Sequence, residues 1–303
     1  MTSLLPKHGL LATEDLTRER VLGLLDRAEA LRTSRPWPEP LKGKLVSLLF
    51  FETSTRTRLG FHAAAVRLGG AAAETSVTKY EAGMSCPESL EDTIRVVSAY
   101  CDLLILRHPD ANAMEIAISA SSVPVINAGT GHESHPSQVL IDLFAMWRGV
   151  GRLEGLRVGM TGNLNTSRSA KSLIRGLKCF PPSEIRLMAP PGHELPSACL
   201  AGLSATSINM KNHLDPTDLD VLYMAGCPPG PAPGLPVNVR RRLSLGRDEA
   251  AKLGPNAIVL CPLPRIDEID SCVDDLPQAA YFRASAEGLF VRMAILEACL
   301  AGS

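Results

Sequence analysis

The sequence has no apolar run near the roughly eighteen residues that a membrane span needs, so none is expected. Its first residues, MTSLLPKHGLLATEDL, carry no apolar leader core. Paired cysteines are also missing. The eight cysteines, at 86, 101, 179, 199, 227, 261, 272 and 299, stand no closer than eleven positions apart. That spacing excludes a CxxC zinc knuckle and a short disulfide framework, and no metal site is expected. Buried free thiols in a cytoplasmic protein are the expectation. Charge of one sign is missing too: the net charge is -1 with a pI near 6.7. Nothing global therefore draws nucleic acid or a membrane surface, and any anion site must be local. Aromatics are scarce at 4%, whereas 45% apolar and 21% charged residues are ordinary for a folded soluble chain. The length of 303 residues suits two compact cores of about 150 each. No repeat of solenoid period is present.

Apolar runs and helical periodicity alternate along the chain. Thr13 or Asp15 is placed to cap a helix through RERVLGLLDRAEALR, with Val21, Leu22, Leu25, Ala28 and Leu31 at helical spacing. KLVSLLFF reads as a buried strand, STRTR as a turn, and about Arg58 to Leu68 as a helix. A short strand over 71–77, a loop over 79–87 and a helix in ESLEDTIRVVSAY follow. CDLLILRHP and VPVINAGTG read as strands that deliver Arg107, His108 and Asn127, and SHPSQVLIDLFAMW as a helix with His135 and Gln138 on one face of its first turn. LRVGMTGNL, SEIRLMAP, DLDVLYMAG and AIVLCPLPRIDEI are four further strands, with Arg168 near the start of the helix after the first. GMTGNLN lacks the full GxGxxG spacing and reads as a plain turn, and the basic run at 239–247 as a solvated helix or loop. The expected class is α/β, with two doubly wound parallel-sheet domains at 1–150 and 151–285. The C-terminal helix, 286–303, is expected to pack back on the first domain.

The chemistry concentrates at the end of the first long strand. FFETSTRTRLGFHAAAVRLG passes from apolar residues to a cluster with three hydroxyls and two arginines in the five residues Ser54 to Arg58, then directly into a helix. Ser54, Thr55, Arg56 and Thr57 thus sit where unpaired N–H groups and the positive end of a helix dipole face outward, a place that attracts an anion. A Ser/Thr cap followed by solvated arginines would look the same over four residues alone.

FFExSTRTR with a following LGG, together with HPxQxLxDLF at His135 and RHP at 107–109, resembles the aspartate and ornithine carbamoyltransferases, closest to the aspartate carbamoyltransferase catalytic chain. The likeness runs from LLATEDLTRERV to GLFVRMAIL, with Thr53 where the family has proline. It implies a carbamoyl-phosphate domain, a second-substrate domain and a homotrimer. A regulatory or partner chain is left open. The implied activity is attack of an amine on the carbonyl carbon of carbamoyl phosphate, most simply by L-aspartate in pyrimidine biosynthesis. No metal or organic cofactor is implied. By the same resemblance Ser54, Thr55, Arg56 and Thr57 grip the phosphate, and Thr57, Arg107 and His135 converge on the carbonyl oxygen. Gln138 and the backbone carbonyls around Pro262 and Leu263 accept from the carbamoyl NH2, and Arg168 holds a substrate carboxylate.

The chain departs from the family at two places. After DVLYM it reads Ala225, Gly226, Cys227, Pro228, with no arginine or glutamine. The family's serine and lysine before the ESLEDTI helix correspond to Ala82 and Cys86, with Lys79 the one lysine in that loop and Arg240, Arg241 and Arg242 as further cations. A transferase acting on a different amine, and a noncatalytic trimeric paralogue, therefore stand beside the aspartate reading.

Overall fold

A computed structural model of the chain describes residues 4–76, 88–131, 134–203, 205–226 and 236–300. Lys79, Ala82, Cys86, Cys227 and Pro228 lie outside the described residues. The chain divides into two compact units, residues 1–140 with 287–303, and residues 141–286.

The elements run β1 (Gly9–Leu10), α1 (Arg18–Thr33), β2 (Leu45–Phe50), α2 (Thr55–Arg67), β3 (Ala71–Ser76), α3 (Leu90–Tyr100), β4 (Leu103–His108), α4 (Ala113–Ala120), β5 (Val125–Thr130) and α5 (Pro136–Val150). They continue with β6 (Arg157–Thr161), α6 (Arg168–Leu177), β7 (Glu184–Met188), α7 (Ser197–Leu200), β8 (Ser207–Lys211), β9 (Val221–Met224), α8 (Val237–Arg241), α9 (Arg247–Ala250), β10 (Ile258–Leu260) and α10 (Tyr281–Leu300).

The first unit's strands pair in the order β1-β5-β4-β2-β3 and the second's in the order β10-β9-β6-β7-β8, every pairing parallel. In each sheet the order reverses beside the strand that begins the long alternation, which is the doubly wound pattern expected. Helices cover such sheets, so their central strands carry unbroken apolar runs. Leu103 to Leu106 in β4 are all buried, as are Val46 to Phe50 in β2. Asp102 aligns these two strands: its carboxylate accepts from the Leu45 N–H at 2.8 Å and from Lys44 Nζ at 3.0 Å. The Leu45 N–H foremost holds its pKa below the usual carboxylate value.

Three expectations are corrected. The cap of α1 is Thr17, whose Oγ1 accepts from the Arg20 N–H, while Thr13–Asp15 forms a separate 3-10 turn. Leu24 is buried, and Leu22 is 37% exposed. The helix α2 begins at Thr55 rather than near Arg58, so the hydroxyl cluster is itself the first helical turn. No helix among the described residues is long and apolar enough to cross a membrane.

Candidate active site

Ser54 stands at the N-cap of α2 with extended backbone (φ -156, ψ 96), and its side chain makes no capping hydrogen bond. Arg58 N–H, reaching back to the Ser54 carbonyl at 3.4 Å, is the first in the helix to find a backbone partner. Among the described residues the N–H groups of Thr55, Arg56 and Thr57 therefore have none, the ordinary state of a helix start that leaves donors for a ligand. Thr55 and Arg56 are exposed, whereas Thr57 is 6% exposed. The second arginine is engaged elsewhere: Arg58 Nε lies 3.5 Å from Glu74 Oε2 on β3.

Arg107 emerges one strand away. Its backbone pairs with Phe50 and its carbonyl accepts from Phe51 N–H at 2.9 Å, which ties the end of β4 to the start of the α2 turn. The ladder between β4 and β5 shifts register between Leu106 and His108, so Arg107 occupies an irregularity of the kind that re-aims a side chain. Its Nη1 donates to the Ala128 carbonyl at 3.1 Å, and its Nε lies 3.1 Å from Glu52 Oε2. The guanidinium is held in place before any ligand arrives.

His135 is 6% exposed and directly precedes α5, with Nδ1 3.3 Å from Ser137 Oγ. Its carbonyl accepts from Gln138 N–H at 3.0 Å, which puts both residues on one turn. Asn127 turns inward instead. Its side chain donates to the Leu11 carbonyl and Thr130 and accepts from Gly129 N–H, so it shapes the turn after β5.

In the second unit, Arg168 is the first residue of α6, half-buried after the Ser167 cap. Pro262 and Leu263 follow β10. Leu263 has a φ of 55, a left-handed conformation that a branched side chain rarely adopts. Among the described residues neither carbonyl accepts a hydrogen bond. Arg240, one of the three clustered cations, pairs with Asp267 at 2.7 Å, leaving Arg241 and Arg242 exposed.

Comparison with known proteins joins these observations. Residues 8–148 match the family described as aspartate/ornithine carbamoyltransferase, carbamoyl-P binding domain. The aspartate carbamoyltransferase catalytic subunit of Methanocaldococcus jannaschii is 40% identical over 96% of this chain and 97% of its own length. The chain belongs to the aspartate/ornithine carbamoyltransferase family. Among solved structures, the catalytic subunit of M. jannaschii aspartate transcarbamoylase superposes with a TM-score of 0.88 at 38% identity, covering 98% of this chain and 99% of that one. Aspartate transcarbamoylase from Trypanosoma cruzi in complex with N-(phosphonacetyl)-L-aspartic acid gives a TM-score of 0.88 at 29% identity, over 97% of this chain and 96% of that one.

Within this carbamoyltransferase fold, sequence reasoning passed over Arg292. It lies on α10, 6% exposed, and no described residue gives it a hydrogen bond or ion pair. Its guanidinium packs beneath Gly60 of α2 and faces the Phe61 ring at 5.6 Å. Burial first, and the Arg56 charge second, pull its pKa down to about 10, so it remains a cation at neutral pH. A buried cation near a second one is a strain that a bound anion would relieve. The sequence signal was one arginine in an otherwise apolar closing helix.

Proposed function

We propose that this protein is a carbamoyltransferase that moves the carbamoyl group of carbamoyl phosphate to the amino group of L-aspartate, giving N-carbamoyl-L-aspartate and phosphate, a step of pyrimidine biosynthesis. The observation that carries the reading is the start of α2. There three N–H groups without a partner among the described residues, at Thr55, Arg56 and Thr57, coincide with hydroxyls, the exposed Arg56 and the buried Arg292. Phosphate oxygens want such a set of donors.

In this mechanism Ser54, Thr55, Arg56 and Thr57 bind the phosphate. Thr57, Arg107 and His135 donate to the carbonyl oxygen as it gains charge, where loss of one donor typically costs roughly 3 kcal/mol. The prior fixing of Arg107 by Ala128 and Glu52 suits that role, because a pre-placed donor needs no reorganisation during reaction. Gln138 and the unoccupied carbonyls of Pro262 and Leu263 are the acceptors we assign to the carbamoyl NH2, and Arg168 the cation for an acceptor carboxylate. The amine nitrogen forms the new C–N bond, the C–O bond to phosphate breaks, and the departing phosphate takes up the amine proton. We assign a homotrimer in the cytoplasm as the working form, consistent with the free thiols at the described cysteines.

Phosphate release with carbamoyl phosphate and a panel of amines tests the assignment. Turnover of aspartate supports it, and silence with every amine selects the noncatalytic reading. Calorimetry of Arg56→Ala checks the phosphate site: binding of carbamoyl phosphate should vanish with the fold intact, and unchanged affinity would remove the site.

A further inference from the structure

His108 closes β4 directly after Arg107, and the proposed chemistry gives its imidazole no task. The ring is held at two places. Nδ1 accepts from the Asp110 N–H at 3.0 Å, which fixes the ring's rotation and puts the proton of the neutral imidazole on Nε2. The ring then meets the Phe51 ring edge to face, with centroids 4.6 Å apart and planes at 64°.

Phe51 is the first residue beyond β2, and Glu52 follows it on the way to Ser54. Two adjacent pairs, Phe51 with Glu52 and Arg107 with His108, thus face each other through three contacts. Ring meets ring, the Phe51 N–H donates to the Arg107 carbonyl at 2.9 Å, and Glu52 Oε2 lies 3.1 Å from Arg107 Nε. The His108 carbonyl accepts from the Gly131 N–H at 3.0 Å, so the end of β5 is tied to the same residue. The ladder towards β5 shifts register between Leu106 and His108, so on that side regular pairing does not set the direction of Arg107. Side-chain contacts supply it.

We propose that His108 is a positioning residue for carbamoyl transfer. Its ring, packed on Phe51, holds Glu52 and through it the Arg107 guanidinium in the direction that the carbonyl oxygen requires. This rests on the carbamoyl-transfer reading. Without the ring, Phe51 and Glu52 gain room, and a donor placed before the reaction becomes one that must be placed during it. The phosphate grip does not draw on this contact, because the start of α2 is anchored by the fully buried Phe61 on the same helix.

The test is calorimetric titration of inorganic phosphate and of phosphonoacetamide, a stable mimic that adds the carbonyl and NH2 of the carbamoyl group. The parent should bind the mimic about tenfold or more tighter than phosphate. His108→Asn still offers an acceptor to the Asp110 N–H, as in an Asx turn, but has no ring. It should cut the preference to about threefold or less with phosphate affinity within about twofold, and lower kcat for aspartate by about tenfold or more. His108→Phe keeps a ring without the acceptor and should retain the preference. Phe51→Leu removes the stack from the other side and should match His108→Asn, so the loss is read even if one of the two fails to fold. No preference in the parent, a preference that survives loss of the stack, an equal loss in His108→Phe, or an equal fall in phosphate affinity overturns the assignment. Phosphate release measured in parallel separates the two readings. Aspartate turnover with a preference indifferent to the stack removes His108 alone, whereas a parent that turns over no amine removes carbamoyl transfer, and a preference that still follows the stack keeps His108 as a residue of ligand placement.

Discussion

The guanidinium of Arg292 lies flat against Gly60: a Cβ at position 60 would stand 2.7 Å from Nη1, 2.8 Å from Cζ and 2.9 Å from Nε. One helix thereby presses a buried cation on the first turns of another, and the contact leaves no room for a methyl group.

Gly60→Ala separates helix propensity from packing. In a free helix the change stabilises by about 1 kcal/mol. Here the clash should win, for a net loss of roughly 1 to 3 kcal/mol in urea unfolding. A more stable variant would mean that Arg292 moves aside freely.

Arg292→Met removes a buried charge that the fold solvates poorly. Burial foremost pulls its pKa down to about 10, which corresponds to a penalty on the order of 3 kcal/mol at neutral pH. The ligand-free variant should be at least as stable as the parent. The sign with pH follows: from about 10 up to the ordinary arginine range the unfolded chain binds more protons at this residue than the folded one, so its penalty fades as pH rises through that window. Phosphate should raise the melting temperature of the parent and much less that of the variant. Equal shifts would detach Arg292 from the anion site.

Arg168→Ala should raise the KM of the amine acceptor much more than it raises that of carbamoyl phosphate. Equal increases in both would contradict its assignment to the acceptor.

Tyr223→Phe probes the second unit. The Tyr223 hydroxyl donates to Asp142 Oδ2 at 3.0 Å, and both side chains are buried. Burial chiefly, then the Asp142 charge, raises the phenol well above its ordinary pKa of 10. The folded chain keeps this proton where the unfolded chain loses it, so stability should decline above pH 10 in the parent. The variant should lack that component of the slope, and should lose about 1 to 3 kcal/mol at neutral pH because Asp142 is left without this donor. An identical alkaline slope in both proteins would sink the idea.

Much of this was legible in the order of residues. Continuous apolar runs such as Leu103 to Leu106 declared buried parallel strands, and the hydroxyl cluster at Ser54 to Thr57 declared a helix start. The positions that failed depended on distant partners. Thr17 and Thr13 are equivalent as local caps, and only the course of the backbone chose between them. Asn127 looked free because Leu11, which takes its amide proton, lies far back along the chain. Arg58 looked available until β3 brought Glu74 beside it.

Gly162 has a φ of 122, and a Cβ there would fall 2.5 Å from the Gly226 carbonyl oxygen. Substitution at 162 would pry apart the ends of β6 and β9 before it could reshape anything a ligand meets. Laboratory evolution of new acceptors should therefore leave that glycine untouched.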